Sequence, residues 1–440
     1  MVNRPITGIG RATLAAASAL ALAGCAALGL GACSDGVGPD GTGEPITELP
    51  RDLTVAERSV IEGSNDFGLA LFGRVVTDDV RPNVVLSPLS ASMALGMTMN
   101  GAEGTTFDAM RSTLGFGAMT REEINASYRE LIDMLSDLDP AVKFEIANAI
   151  WANQNIEFHD AFFAAVAAAF DARAESRDFA DPATLAAINA WVDESTGGLI
   201  DSILDDLDPS LVMLLVNAIY FDGAWTTQFA PADTRRQAFT RPDGSTVQVD
   251  MMTMQDVELP LGGGPGWSAV ELPYGGEAFA LLVVVPEGAT SARDLAASLD
   301  SDTWGQLIAS LARRELAVLG LPKLTLDYDA FLNDALKALG MQVAFGPGAD
   351  FTRMSPGGDQ MCIDFVRQKT FIEVDERGTR AAAVTGVGIG VTSLPPSLVV
   401  DRPFVFAIRE RLSGTLLFVG LVEDPTATDP GPEPVVSDCR

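Results

Sequence analysis

The chain has 440 residues, 47% of them hydrophobic, and carries a formal net charge of −31 at pH 7. This length and this hydrophobic content allow a large buried core. The excess of acidic side chains opposes contact with phosphate backbones and anionic lipid surfaces, so nucleic acid is excluded as an expected partner.

The composition also disfavours catalytic and metal chemistry. His159 is the only histidine, which excludes a histidine-rich metal site and leaves a secreted Ser-His-Asp hydrolase as an alternative only if this residue is the base. The chain has no Gly-x-Ser-x-Gly elbow, no P-loop lysine and no Cys-x-x-Cys pair. We therefore expect no enzymatic activity, no metal, no cofactor and no disulfide framework.

Residues 1–32 have the features of a lipoprotein signal peptide. Arg4 and Arg11 precede an apolar run, as in secretory signal peptides. Cys25 and Cys33 each follow small residues in a pattern that resembles the lipobox of bacterial lipoproteins.

The site of lipidation stays open between these two cysteines. We favour Cys33 because cleavage there leaves residues 33–52 as a polar, flexible tether, whereas Cys25 has the more typical lipobox. An ordinary secretory peptide is a further alternative. An uncleaved anchor is another, and all of these interpretations predict an exported domain. On the favoured interpretation the protein is lipid-anchored to the cell envelope or extracellular, and a lipid anchor is its only membrane contact.

Residues 53–425 contain no internal repeat and no linker-like break, which predicts one large mixed α/β domain. Hydrophobic periodicity predicts helices over residues 55–72, 88–99, 121–138, 161–170, 183–193 and 330–339. Extended apolar runs predict strands over residues 142–151, 211–221, 278–285, 315–319, 361–374, 404–408 and 415–421. Several runs are apolar on both faces, as in the middle of a covered sheet. The proline-rich residues 426–440 are predicted to be a disordered tail.

Several sequence blocks occur in the order typical of one protein family. They lie at residues 83–90, 100–105, 148–151, 217–225, 271–274, 321–323, 349–351 and 402–406. On these blocks the chain resembles the serpins, a family of serine protease inhibitors, as a bacterial lipoprotein-type member. The resemblance implies a monomeric α+β serpin fold with a large mixed central β-sheet, two smaller sheets, about eight to nine helices and an exposed reactive-centre loop.

A further block, residues 371–383, resembles the hinge of a serpin reactive-centre loop, which would span residues 377–400. The residues assigned to this hinge are Glu376, Gly378, Thr379, Arg380, Ala381, Ala382 and Ala383. Independently of the family, residues 379–391 alternate with a period of two, which is typical of a half-buried strand. Small residues at one parity permit insertion into a sheet without packing strain. Arg380 departs from the glutamate common in serpins, but its parity points it outward.

Spacing from the hinge, and from Pro395 and Pro396 on the far side, predicts that a protease cleaves between Thr392 and Ser393, with the adjacent bonds as alternatives. The fifteen residues from 378 to 392 span roughly 50 Å as a strand. The resemblance implies a suicide-substrate inhibitor that traps a serine protease when the cleaved loop inserts into the main sheet. Small uncharged residues at the bond favour an elastase-like or subtilisin-like protease. The alternative is a non-inhibitory serpin that acts as a carrier, chaperone or adhesion module.

The resemblance also implies a buried polar cluster that controls opening of the sheet. Ser87, Ser90 and Asn217 match its positions, and Gln368 replaces the histidine frequent in serpins. Glutamine still donates and accepts hydrogen bonds but does not titrate near neutral pH. Trp225 matches a position where the loop first enters the sheet, with simple core packing as its alternative role.

Overall fold

The computed structural model describes residues 45–379, 395–429 and 431–432. Nine α-helices lie in this part of the chain: α1 (Val55–Asp78), α2 (Pro88–Met99), α3 (Gly104–Thr113), α4 (Arg121–Ser136), α5 (Asp160–Phe170), α6 (Pro182–Ser195), α7 (Ala292–Ala297), α8 (Ser301–Ser310) and α9 (Asn333–Leu336). None of the described helices is both long and apolar enough to cross a lipid bilayer.

Fifteen strands in the same described residues form three sheets. A mixed nine-stranded sheet holds β1 (Asn83–Leu86), β5 (Arg235–Thr240), β6 (Thr246–Gly264), β7 (Trp267–Tyr274), β8 (Phe279–Pro286), β9 (Ala312–Pro322), β13 (Ser397–Val399), β14 (Phe404–Glu410) and β15 (Leu416–Val422). A four-stranded sheet holds β2 (Val142–Asn153), β3 (Arg173–Arg177), β4 (Met213–Ala224) and β12 (Gly378–Thr379). The third sheet pairs β10 (Leu324–Phe331) with β11 (Arg367–Val374). The expected fold, one large mixed sheet with two smaller sheets and eight to nine helices, is confirmed.

Local sequence explains where the helices begin. Ser87 accepts a hydrogen bond from the backbone N–H of Ser90, and Pro88 occupies the first turn of α2, so the predicted boundary at residue 88 is confirmed. Thr54 and Glu57 form a capping box at the start of α1.

Two predicted elements differ from the structure. The helix predicted over residues 330–339 begins later, because β10 continues to Phe331. α9 is followed directly by a π-helical turn over Lys337–Met341, in which Gly340 has a positive φ. The strand predicted over residues 361–374 begins only at Arg367. Before it, Asn333 bonds to the backbone of Asp364 and Val366, which replaces ladder pairing there.

The fold creates a groove between β4 and β11. The two strands flank a common space, and within the described residues no backbone ladder joins them. Residues on one face of β4, such as Phe221, pack into the main core, whereas Leu214 and Val216 on the other face pack against α6. The groove therefore lies between the four-stranded sheet and the two-stranded sheet, and β4 contributes to a separate apolar cluster on each of its faces.

Candidate functional site

The hinge begins at one end of this groove. After β11 the chain turns back, and β12 pairs antiparallel with β4 through Gly378 opposite Ala224 and Thr379 opposite Gly223. The backbone N–H of Trp225 donates to Arg377 O at 2.9 Å, and that of Phe229 donates to Glu376 O at 2.9 Å. The start of the predicted hinge is thus already attached to β4.

The Trp225 side chain stabilises this attachment of the hinge to β4. It is 1% exposed and stacks on Tyr274 with ring centroids 4.5 Å apart. Its indole Nε1 donates to the backbone oxygen of Asp375 at 3.0 Å. Trp225 therefore combines core packing with a direct bond to the turn that precedes the hinge.

Glu376 is fixed by two partners. Lys323 Nζ lies 2.9 Å from its Oε2, and Thr234 Oγ1 donates to its Oε1 at 2.8 Å. Burial by itself raises the pKa of Glu376, but the bonds from Lys323 and Thr234 outweigh this effect and hold the pKa below its usual value. The bond to Glu376 in turn raises the pKa of Lys323.

Gly378 has a backbone conformation that requires glycine. Its φ is +135°, and a Cβ built there would lie 2.2 Å from Gly223 O and 2.7 Å from the N of Trp225. Any side chain would therefore push the hinge away from β4. The close approach of two backbones explains why glycine stands at the first residue of β12.

The predicted polar cluster is only partly assembled. Gln368 and Ser87 exchange two bonds, with Ser87 N donating to Gln368 Oε1 and Gln368 Nε2 donating to Ser87 O, each at 2.9 Å. Ser87 Oγ also donates to Leu417 O at 2.8 Å and receives the amide of Ser90 at 3.4 Å. These bonds hold β11 against the start of α2.

Asn217 lies across the groove from this group and does not bond to it. Its Nδ2 donates to Asn148 Oδ1 at 2.7 Å, and Asn148 Nδ2 donates to Phe170 O at 2.7 Å. Its Oδ1 is buried and has no hydrogen-bond partner. The four residues Ser87, Ser90, Asn217 and Gln368 all line the same groove, so they sit on facing walls rather than in one bonded network.

Beyond Asn217 the groove widens into a cavity of about 380 Å³. Its walls are residues 210–217 before and within β4, residues 360–369 before and within β11, and part of α2. Apolar side chains such as Leu211, Met361 and Ile363 dominate this lining. The cavity thus continues the groove away from the hinge.

Several predicted sites lie outside the described residues. These are the hinge residues Arg380, Ala381, Ala382 and Ala383, the bond between Thr392 and Ser393, and the cysteines Cys25 and Cys33. Cys362 is disulfide-bonded. The sequence indicated no disulfide framework, and this one bridge was not predicted, since residue spacing does not reveal bridges between distant segments.

Sequence reasoning missed three residues that hold the site together. Lys323 and Tyr274 both fall in blocks shared with the serpins, yet nothing local identified them as partners of Glu376 and Trp225. Asn148, which anchors Asn217, also lies in such a block. The signal that could have identified these three residues was their position in blocks shared with the serpins.

Comparison with known proteins agrees with this geometry. The Serpin (serine protease inhibitor) family matches residues 62–425. Neuroserpin of Gallus gallus is 32% identical over 359 residues, which cover 78% of this chain and 87% of that protein. The solved structure of the thermophilic serpin tengpin in the native state has a TM-score of 0.75 and 30% identity, covering 87% of this chain and 97% of tengpin. Human thyroxine-binding globulin has a TM-score of 0.77 and 27% identity, covering 85% of this chain and 100% of that one.

The family match spans the domain that carries the groove, the hinge and the polar residues on its walls. The description of that family is serine protease inhibitor. On the family match, the relatives and the fold, this chain belongs to the serpin family of serine protease inhibitors.

Proposed function

We propose that this protein is a suicide-substrate inhibitor of serine proteases with elastase-like or subtilisin-like specificity, which traps the acyl-enzyme by inserting its cleaved loop between β4 and β11. The inserted strand would join the four-stranded and two-stranded sheets into one, so the sheet that receives the loop is this pair and not the nine-stranded sheet. The main support for this proposal is that β12 already pairs with the end of β4, while among the described residues no strand fills the groove beside it. A cleaved loop would extend a ladder that has already begun.

Continuing the observed registers gives the position of each inserted residue. On β4 the pair of Thr379 with Gly223 extends to Thr385 opposite Asn217. On β11 the bridge between Asp375 and Gly378 extends to Thr385 opposite Gln368. Thr385 would therefore lie between the two facing polar walls, and its hydroxyl would reach the unpaired Oδ1 of Asn217.

The same registers account for the cavity. Residues 385–392 of the loop would lie opposite residues 210–217 on one side and residues 361–368 on the other, and these segments are the walls of the 380 Å³ cavity. The room for the distal half of the loop thus exists before cleavage. Insertion as far as Thr392 would carry an attached protease the full length of the groove.

The two faces of β4 agree with the predicted alternation of core-facing and outward-facing residues in the hinge. Residues directly opposite in a ladder share a face. Thr379 would lie opposite Gly223 and Ala381 opposite Phe221, both on the core-facing side of the sheet. Arg380 would instead share the outer side of Asp222. Only small or uncharged residues would enter the core.

Insertion would be driven by new backbone hydrogen bonds and by apolar burial. A strand alongside the twelve residues of β4 would add on the order of ten hydrogen bonds, each contributing about 1 kcal/mol net. Filling the apolar cavity would add further burial. This energy is available to distort the active site of a protease that is still bound as an acyl-enzyme.

The first experiment is incubation with a protease panel. We expect an elastase-like or subtilisin-like enzyme to form a covalent complex that resists denaturant, and mass spectrometry to find cleavage between Thr392 and Ser393. The nicked protein should also melt at a higher temperature than the intact protein. A nicked form that melts no higher would exclude insertion and favour the non-inhibitory alternative.

A matched pair of variants isolates the insertion step. Ala381→Arg puts a charge on the core side beside Phe221, whereas Ala382→Arg puts the same charge on the outer side. We expect the first variant to be cleaved as a substrate without forming a complex, because a buried unpaired charge opposes insertion. The second variant should keep at least part of the inhibition. Equal behaviour of the two variants would contradict the proposed register.

We further propose that the chain is a bacterial lipoprotein-type serpin, exported and held at the cell envelope through lipidated Cys33. The apolar segment before Cys33 and the tether after it support this assignment. Labelling of expressing cells with a clickable fatty acid should mark the wild type and the Cys25→Ser variant but not Cys33→Ser. If the label is lost in Cys25→Ser and kept in Cys33→Ser, the lipidated residue is Cys25.

A further inference from the structure

The chain continues past the part that matches the serpin family, and the first residues of this extension are docked. The family match ends at residue 425, whereas Asp429 is still held against the domain. Its side chain is only 7% exposed. Its Oδ1 lies 2.7 Å from Arg81 Nη1, and its Oδ2 accepts the backbone N–H of Asp329 at 2.7 Å.

The docking point is the outer edge of β10. Asp329 faces Lys369 in the ladder with β11, and its own N–H and C=O point away from that ladder. The N–H donates to Asp429 and the C=O accepts from Arg81 Nη1 at 2.9 Å. The pair of Arg81 and Asp429 therefore satisfies both backbone groups that a neighbouring strand would otherwise pair.

Arg81 is held by further contacts besides Asp429. Its Nε donates to both carboxylate oxygens of Asp79, at 3.0 and 2.8 Å, and its guanidinium lies 4.2 Å from the centre of the Tyr328 ring. The hydroxyl of Tyr328 donates to Asp79 Oδ2 at 2.6 Å. Arg81 and the edge of β10 thus form a largely buried binding site for the side-chain carboxylate of Asp429.

We propose that residues 426–429 are a docking segment that seals the outer edge of β10 through Asp429. Within the described residues β10 has β11 as its only strand partner, so an unsealed edge is open to strand addition by a second copy of this chain. The segment also holds β10, and through it β11, as one wall of the groove. This inference does not depend on protease inhibition.

Hydrogen exchange tests the docking directly in the full-length protein. In Asp429→Ala we expect amide exchange in peptides covering Leu324–Phe331 to be about tenfold faster, because a charge-assisted bond to the edge is lost. Asp429→Asn, which keeps one acceptor oxygen, should give a smaller increase and guards against a folding defect. Asp359→Ala removes an exposed acid elsewhere and should change nothing in these peptides. Unchanged exchange in Asp429→Ala would overturn the proposal.

Size-exclusion chromatography after mild warming tests the sealing of the edge. We expect Asp429→Ala to form soluble oligomers at a lower temperature than the wild type and Asp359→Ala. A variant that exchanges faster at β10 but stays as monomeric as the wild type would disprove protection against strand addition and leave only the docking.

Discussion

Lys323 and Glu376 join two segments that are 53 residues apart, with Nζ and Oε2 separated by 2.9 Å. Lys323 stands between β9 and β10, whereas Glu376 begins the hinge that leads to β12. The glutamate side chain is 11% exposed and the lysine side chain 39%. This pair, with Thr234, fixes the point from which the loop departs.

We predict that Glu376→Gln lowers the free energy of unfolding by about 1 kcal/mol at pH 7, a value reduced for the partial exposure of Lys323. Because the pKa of Glu376 is lowered in the folded protein, its contribution is fully present above the usual value of 4.5 and is lost as pH falls through the lower folded pKa. Urea unfolding of both proteins between about pH 3 and pH 7 measures this difference, because the predicted loss falls below the usual value of 4.5. A gap that grows as the solution is acidified would contradict the assignment.

Gly378→Ala should destabilise the hinge by about 1–3 kcal/mol, since the positive φ and the contact with Gly223 O exclude a Cβ. We expect a lower melting temperature and a larger number of inhibitor molecules cleaved for each protease molecule trapped. Gly357→Ala is the matched control, because its φ is not positive and a Cβ there meets nothing within 4 Å. The prediction fails if both variants behave like the wild type.

Arg380→Glu restores the residue common in serpins but should impair this particular protein. The continued registers would put residue 380 between Asp222 on β4 and Glu373 on β11. Arginine complements these two carboxylates, whereas glutamate would repel both. We expect a severalfold higher stoichiometry of inhibition for Arg380→Glu, with Arg380→Gln in between and the difference reduced by salt. An equal stoichiometry for all three would show that the register does not continue as inferred.

Thr385→Val tests the partner inferred for Asn217. After insertion the valine would leave Asn217 Oδ1 buried without a donor, which costs about 1–2 kcal/mol. The cleaved form should therefore lose stability in denaturant, while the intact form, in which this oxygen already lacks a partner, should not. Thr385→Ser keeps the hydroxyl and should restore most of the loss. Equal losses in the cleaved and intact forms would point to an effect unrelated to insertion.

Features that depend on neighbours along the chain were accessible from the sequence. The cap at Ser87 and Pro88 and the two-residue period after residue 378 follow from local backbone chemistry. The shared blocks then identified the family and, with it, the fold. Even the assignment of Trp225 to the hinge region needed only its place in such a block.

Tertiary structure decided which distant groups meet. Sequence placed Asn217 and Gln368 in one cluster, but packing puts them on opposite walls of a groove, with Asn217 bonded to Asn148. The docking of Asp429 on β10 arose in a segment that composition predicts to be a disordered tail. Such contacts depend on the distances between elements that many residues separate, and no local period or propensity encodes those distances.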